Sequence, residues 1–170
     1  MRAKDLSTHE YYMNIAFAVR EKANCKGRRV GTVLLMKNRI ISTGYNGTPE
    51  GVTNCLDGGC VRCRDRVQFA AGVAYDVCIC VHAEQNALIT AARFGIPVGG
   101  SVVYSTMRPC FDCTKALFQA KVRAVYYHDH WTDPMKELAD QYEVLQSHFP
   151  RGVHQVLMPN LEGDTGKPDA

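Results

Sequence analysis

Four residues in the middle of the chain have the types and spacing for metal-assisted hydrolysis: His82, Glu84, Cys110 and Cys113. His82 and Glu84 sit two apart in Val81-His82-Ala83-Glu84. Cys110 and Cys113 belong to Pro109-Cys110-Phe111-Asp112-Cys113. One imidazole and two thiols fill three corners of a zinc tetrahedron and leave the fourth for water, the arrangement of a catalytic rather than a structural zinc. Zinc lowers the pKa of bound water from about 15.7 toward 7. Glu84 is the natural carrier of the proton that this water gives up.

Spacing decides whether these groups can meet. Cys110 and Cys113, three apart at an expected helix start, lie on one face and reach one metal. The exposed amides and the dipole of that turn favour thiolate over thiol. Two of the three ligands are then anionic, so the charge at the zinc is near zero before hydroxide forms. His82 and Glu84 are about 200° apart on a helix. They share a pocket only if they occupy its first turn.

The elements that must position these residues follow from periodicity and turn chemistry. Ser7-Thr8-His9-Glu10 reads as a capping box, followed by Tyr12, Ile15, Ala16, Val19 and Ala23 at helical spacing; this predicts a first helix over about 7–24. A hairpin follows: strand 30–36, a turn at Lys37-Asn38, strand 39–43. Gly44-Tyr45-Asn46-Gly47-Thr48-Pro49 breaks the pattern. The next 30 or so residues are too long for a plain connection and hold five cysteines, which argues for a staple; a short helix is expected within 64–74. Helices at 82–94, 110–120 and 134–147 then alternate with strands at 101–106, 122–127 and 153–158. The order α-β-β-α-β-α-β-α-β predicts an α/β fold with a sheet covered on both faces and parallel, right-handed units in its second half.

Composition sets the outer limits. The chain has 170 residues, 46% apolar and 22% charged, enough for one domain with a proper core; we expect that domain over 1–160 and a flexible tail over 161–170. Net charge is 20 − 17 = +3, too weak to argue for a nucleic-acid partner, and Lys26, Arg28 and Arg29 form only a local cluster. The start is polar, without the apolar core of a signal peptide. No apolar run approaches the roughly 18 residues of a membrane span. A cytosolic protein with no membrane partner is expected, and its eight cysteines are then better read as metal ligands than as disulfides.

The pattern H-x-E…P-C-x-x-C is that of zinc deaminases. With Arg29-Val30-Gly31, Ser42-Thr43-Gly44-Tyr45-Asn46-Gly47-Thr48-Pro49 and His82-Ala83-Glu84-Gln85-Asn86-Ala87-Leu88, the chain resembles the deoxycytidylate deaminases of the cytidine deaminase superfamily over roughly residues 10–158. The Gly-Tyr-Asn-Gly-Thr-Pro loop is more specific to that family than the zinc motif. The resemblance implies a three-layer α/β/α sandwich around a mixed five-stranded sheet. It implies deamination of dCMP to dUMP and ammonia, supplying thymidylate synthesis, in a homo-oligomer such as a hexamer. It also implies activation by dCTP and inhibition by dTTP, with Mg2+ accompanying the nucleotide at an allosteric site near Gly44, Tyr45, Asn46 and Gly47. Asn46 matches an asparagine that contacts the substrate nucleotide. Arg93 stands where similar proteins place a phosphate-binding arginine. Where family members carry a tyrosine after the fourth strand, this chain has His128-Asp129-His130-Trp131, so His130 or Trp131 is expected to take that role.

Six cysteines remain. Some members of the family carry a second, structural zinc, and Cys25 and Cys55 match its ligand positions. Cys60 and Cys63 are the preferred remaining pair, with Cys78 and Cys80 as alternates. Six thiols also suffice for a shared two-metal cluster, and as an alternative some of them are simply small buried apolar side chains. Two rival functions stay open on residues alone. One is a deaminase of another nucleotide or of RNA, like the tRNA adenosine deaminases, which would want a basic face. The other is a non-catalytic zinc-binding interaction module, which would have no use for an unliganded Glu84.

Overall fold

A computed structural model describes residues 6–65, 68, 77–132 and 136–158. Its elements are α1 (Thr8–Arg20), β1 (Gly31–Met36), β2 (Arg39–Tyr45), a 3-10 turn (Cys55–Asp57), α2 (Val61–Arg64), α3 (Ala83–Arg93), β3 (Val102–Met107), α4 (Phe111–Gln119), β4 (Ala124–Asp129), α5 (Lys136–Ser147) and β5 (Val153–Gln155). Among the described residues no helix is long and apolar enough to cross a membrane.

The five strands form one mixed sheet in the order β2-β1-β3-β4-β5. β1 runs antiparallel to β2 and β3, whereas β3, β4 and β5 are parallel. The β1–β2 connection is a two-residue turn with positive φ at Lys37 (49°) and Asn38 (59°), the geometry whose twist matches a hairpin. Side chains alternate across the sheet with period two. Val33, Leu35 and Tyr104 face Met13, Ala16 and Phe17 of α1. Leu34, Val103 and Val125 face Ala87 of α3, Leu117 of α4 and Phe149 beyond α5. Burial of β1 on both faces makes the three-layer α/β/α sandwich.

Capping explains where the first helix starts. Ser7 Oγ accepts from Glu10 N–H and Glu10 returns a bond to Ser7 N–H at 2.8 Å, the reciprocal box expected from the sequence. α1 is shorter than its apolar periodicity suggested. Lys22 and Ala23 bond back only three residues, to Val19 and Arg20, and the chain then turns into the cysteine-rich region. β4 starts at Ala124 and β5 spans three residues, against expectations of 122 and 153–158. α2 lies just upstream of the helix expected within 64–74 and meets it only at Arg64; most of that range, the start of the 134–147 helix and the polar tail lie outside the described residues.

Candidate metal and catalytic site

α3 and α4 both begin at the site. His82 is the N-cap of α3, with extended backbone (φ −72°, ψ 156°), and its N–H bonds Gln85 Oε1 at 3.1 Å. Because His82 is not yet helical, the 200° separation from Glu84 does not arise. Cys110 is the N-cap of α4, also extended (φ −68°, ψ 174°), and Cys113 is its third helical residue. Two helix N-termini therefore point their partial positive charge at one group of thiols, which stabilises thiolate.

His82 Nδ1 lies 3.4 Å from Cys110 Sγ and 3.4 Å from Cys113 Sγ. All three ligand atoms fall within 4.8 Å of one another. Zinc–sulfur and zinc–nitrogen bonds of about 2.3 and 2.0 Å at tetrahedral angles place N and S about 3.5 Å apart. Donor types and spacing both fit zinc. The thiols are tightly linked: contact with Cys113 and with His82 pulls Cys110 down to about 4, while Cys110 and burial push Cys113 up. Contact with Cys110 raises His82 to about 9.

Glu84 is 4% exposed and touches Cys113. Burial, then the neighbouring Cys110 sulfur, raise its carboxyl above the usual range; a bound cation acts in the opposite sense. Its Oε1 accepts a 3.2 Å hydrogen bond from Ser105 Oγ. Ser105 in turn sits 3.0 Å from Thr32 Oγ1, its direct partner across the β1–β3 ladder. Since Ser105 spends its proton on Glu84, Thr32 is the donor of that second bond. Both hydroxyls are fully buried, and they fix the carboxylate from the sheet side.

A second group supports the Cys110 side. Arg108 is 5% exposed, bonds Gln146 Oε1 at 2.6 Å and Glu143 Oε1 at 2.7 Å, and lies 4.4 Å over the Tyr142 ring. The Tyr142 hydroxyl donates to the Pro109 carbonyl. Trp131 reaches the same cluster: its carbonyl accepts from Arg108 at 3.4 Å and its ring meets Tyr142 edge-on at 6.2 Å. Sequence reasoning missed Thr32, Ser105, Arg108 and Tyr142. The available signal was polar residues inside apolar strands at 32 and 105, and an arginine directly before the Pro-Cys motif.

The other expected binding residues have partners of their own within the chain. Asn46 is buried with both ends of its amide engaged, accepting from Val30 N–H at 2.8 Å and donating to the Arg28 carbonyl at 2.8 Å. It stitches the entry of β1 to the exit of β2. Arg93 stands at the far end of α3, about 16 Å along the axis from His82 at 1.5 Å per residue, where it pairs with exposed Glu50 at 3.1 Å. His130 is exposed and bonds Tyr127 and Thr132. Gly44 and Gly47 serve close approach: a Cβ on Gly44 would lie 2.2 Å from the Ala83 carbonyl, and one on Gly47 2.3 Å from Asn24. Gly47 also exchanges two backbone bonds with Val81, next to His82. Tyr45 offers its carbonyl to Asn86 at 2.7 Å. This loop seats the start of α3.

The remaining six cysteines gather in one cluster. Cys25, Cys55, Cys63 and Cys80 form one group of mutually close sulfurs, and Cys60, Cys63, Cys78 and Cys80 another. The preferred quartet Cys25, Cys55, Cys60 and Cys63 is neither of these: the Gly47–Val81 pairing brings Cys80 in beside Cys25 and Cys55, and Cys60 falls with Cys78. Contact with Cys80 holds Cys25 down to about 6 and Cys78 to about 4, and burial pushes Cys63 up.

Comparison with known proteins agrees with this geometry. The family model for the cytidine and deoxycytidylate deaminase zinc-binding region matches residues 6–129. Deoxycytidylate deaminase of Schizosaccharomyces pombe is 42% identical over 72% of this chain and 37% of its own length. That of Saccharomyces cerevisiae is 38% identical over 71% and 37%. The chain thus spans little more than a third of these two relatives. The crystal structure of dCMP deaminase from the cyanophage S-TIM5 in complex with dCMP and dUMP superposes with a TM-score of 0.64 at 31% identity, covering 92% of this chain and 100% of that one.

Proposed function

The chain belongs to the cytidine and deoxycytidylate deaminase family, and on that premise we propose that it is a zinc-dependent hydrolase converting dCMP and water to dUMP and ammonia. The observation that carries this is the convergence of His82, Cys110, Cys113 and buried Glu84 at the N-termini of α3 and α4. His82, Cys110 and Cys113 would hold the zinc, which when bound supplies a Lewis acid that makes water acidic enough to react near neutral pH. Glu84 takes one proton from water and gives it to the ring nitrogen; it then takes the second proton, from the hydroxyl added to the ring carbon, and gives it to the leaving amine, which departs as ammonia while the carbonyl forms. Ser105 and Thr32 hold that carboxyl in place, so the proton moves without a search for geometry. Trp131, packed through Tyr142 and Arg108 onto the Pro109–Cys110 turn, is the best-placed of the expected substrate contacts.

The relatives support the choice of dCMP. Two deoxycytidylate deaminases share about two-fifths of the aligned residues, and the cyanophage enzyme holds dCMP and dUMP on a matching fold. Cysteines grouped at metal-ligand spacing are the pattern usual in reducing compartments, which supports a cytosolic enzyme. The test is ammonia release from dCMP, CMP, dCTP, deoxycytidine and a tRNA by the purified protein. Turnover of dCMP above the others is expected. Preference for deoxycytidine or tRNA would overturn the substrate assignment while leaving the zinc chemistry standing.

A further inference from the structure

We propose that the six cysteines outside the catalytic site hold two soft divalent metal ions in one cluster, with Cys63 and Cys80 bridging them. Cys25 and Cys55 complete the first ion's tetrahedron, Cys60 and Cys78 the second's. The two groups of mutually close sulfurs share Cys63 and Cys80 and no others. Cys63 Sγ lies 3.9 Å from Cys25 Sγ in one group and 3.9 Å from Cys78 Sγ in the other, and Cys60 Sγ is 3.7 Å from Cys78 Sγ. Tetrahedral zinc with bonds of about 2.3 Å puts its sulfurs about 3.8 Å apart. A disulfide needs about 2.05 Å.

Counting ligands separates two ions from one. A single tetrahedral ion uses four of the six sulfurs. It strands either Cys60 and Cys78 or Cys25 and Cys55 against a charged thiolate core. Two four-coordinate ions need eight metal–sulfur bonds, which six sulfurs supply only when two of them are shared. The shared pair must touch both terminal pairs, as Cys63 and Cys80 do. The filled cluster holds six thiolates and two divalent ions, a charge of −2, with no change in oxidation state. Backbone amides already face that charge: Lys26 N–H donates to Cys55 Sγ at 3.2 Å and Gly27 N–H to Cys25 Sγ at 3.3 Å. Five of the six side chains are buried and Cys78 is half-buried, so water does not compete for the ligands. All-thiolate tetrahedral geometry suits zinc or an iron–sulfur centre, and six sulfurs sharing two complete both tetrahedra of a zinc pair without added sulfide.

The cluster ties the segment after α1, the 3-10 turn, α2 and residues 78–80 into one unit. That unit ends two residues before His82. It works as a metal staple behind the catalytic histidine, and its existence does not depend on the deaminase reading.

The test is exchange of the intact protein into 113Cd and a 1H–113Cd correlation spectrum. Two cadmium resonances from all-sulfur sites, split by coupling to each other, are expected, with the β-protons of Cys63 and Cys80 each correlating to both. Cys78→Ser should abolish one of the two while the fold is retained. A single all-sulfur resonance bound by four cysteines would overturn the proposal. Iron with labile sulfide, disulfides, or no metal at these residues would overturn it equally. The ion at His82, Cys110 and Cys113 has a nitrogen ligand and a separate signal, so loss of the catalytic reading removes that signal alone.

Discussion

Ser105 on β3 donates a 3.2 Å hydrogen bond to Glu84 on α3, and this one contact joins the sheet to the carboxyl proposed as the proton carrier of the site. Ser105 is fully buried on β3, and its hydroxyl gives the buried Glu84 carboxyl a hydrogen-bond partner from the sheet side. Ser105→Ala should therefore lower kcat with little change in KM or zinc content. A hydrogen bond to a charged group contributes about 1.5–3 kcal/mol, or roughly ten- to a hundredfold in rate. Steady-state kinetics with metal analysis checks this; an unchanged kcat would show that Glu84 is positioned without Ser105.

Arg108 organises the opposite wall. Its guanidinium is 4% exposed and its partner Glu143 is 63% exposed, so the two deletions are unequal. Glu143→Ala leaves Arg108 still bonded to Gln146 and should cost about 1 kcal/mol. Arg108→Met strands buried Gln146 and removes the ring stacking on Tyr142, for a loss of about 2–4 kcal/mol. Urea unfolding of both variants measures the difference.

Gly44→Ala tests the seating of α3. The new Cβ would meet the Ala83 carbonyl at 2.2 Å and the Ala87 amide at 2.4 Å, backbone atoms that cannot swing aside. Overpacking of this kind costs about 1–3 kcal/mol or more, and here it pushes on the turn that carries His82 and Glu84. A lower melting temperature together with a lower kcat is expected.

Asn46→Ala should behave as a structural lesion. Both ends of the amide hold main-chain groups, Val30 N–H and the Arg28 carbonyl. Losing two such bonds costs about 2 kcal/mol, read as a shift in the urea midpoint.

What could be read from the sequence was local. Ser7 and Glu10 announce their capping box, Lys37-Asn38 its turn, and the strand–helix alternation a sheet covered on both faces. His82, Glu84, Cys110 and Cys113 were legible because each pair is close in the chain and types itself by chemistry. Residues that reach the site across the fold were not. Ser105 meets Glu84 only through α3–sheet packing, and Arg108 meets Gln146 across 38 positions. Cys80 joins Cys25 and Cys55 through the Gly47–Val81 bridge, which no spacing rule contains. Arg93 shows the limit of spacing along one helix: it shares α3 with Glu84 but stands at the far end, where it pairs with Glu50.

The central claim rests on Glu84 as the proton carrier beside a zinc held by His82, Cys110 and Cys113. Glu84→Gln keeps the shape of the side chain and removes its basicity. The decisive measurement is zinc content and dCMP-dependent ammonia release on the same preparation. Unchanged zinc with kcat reduced by about 10²–10⁴-fold is the predicted result; a fully loaded variant that deaminates dCMP at the parental rate would contradict it.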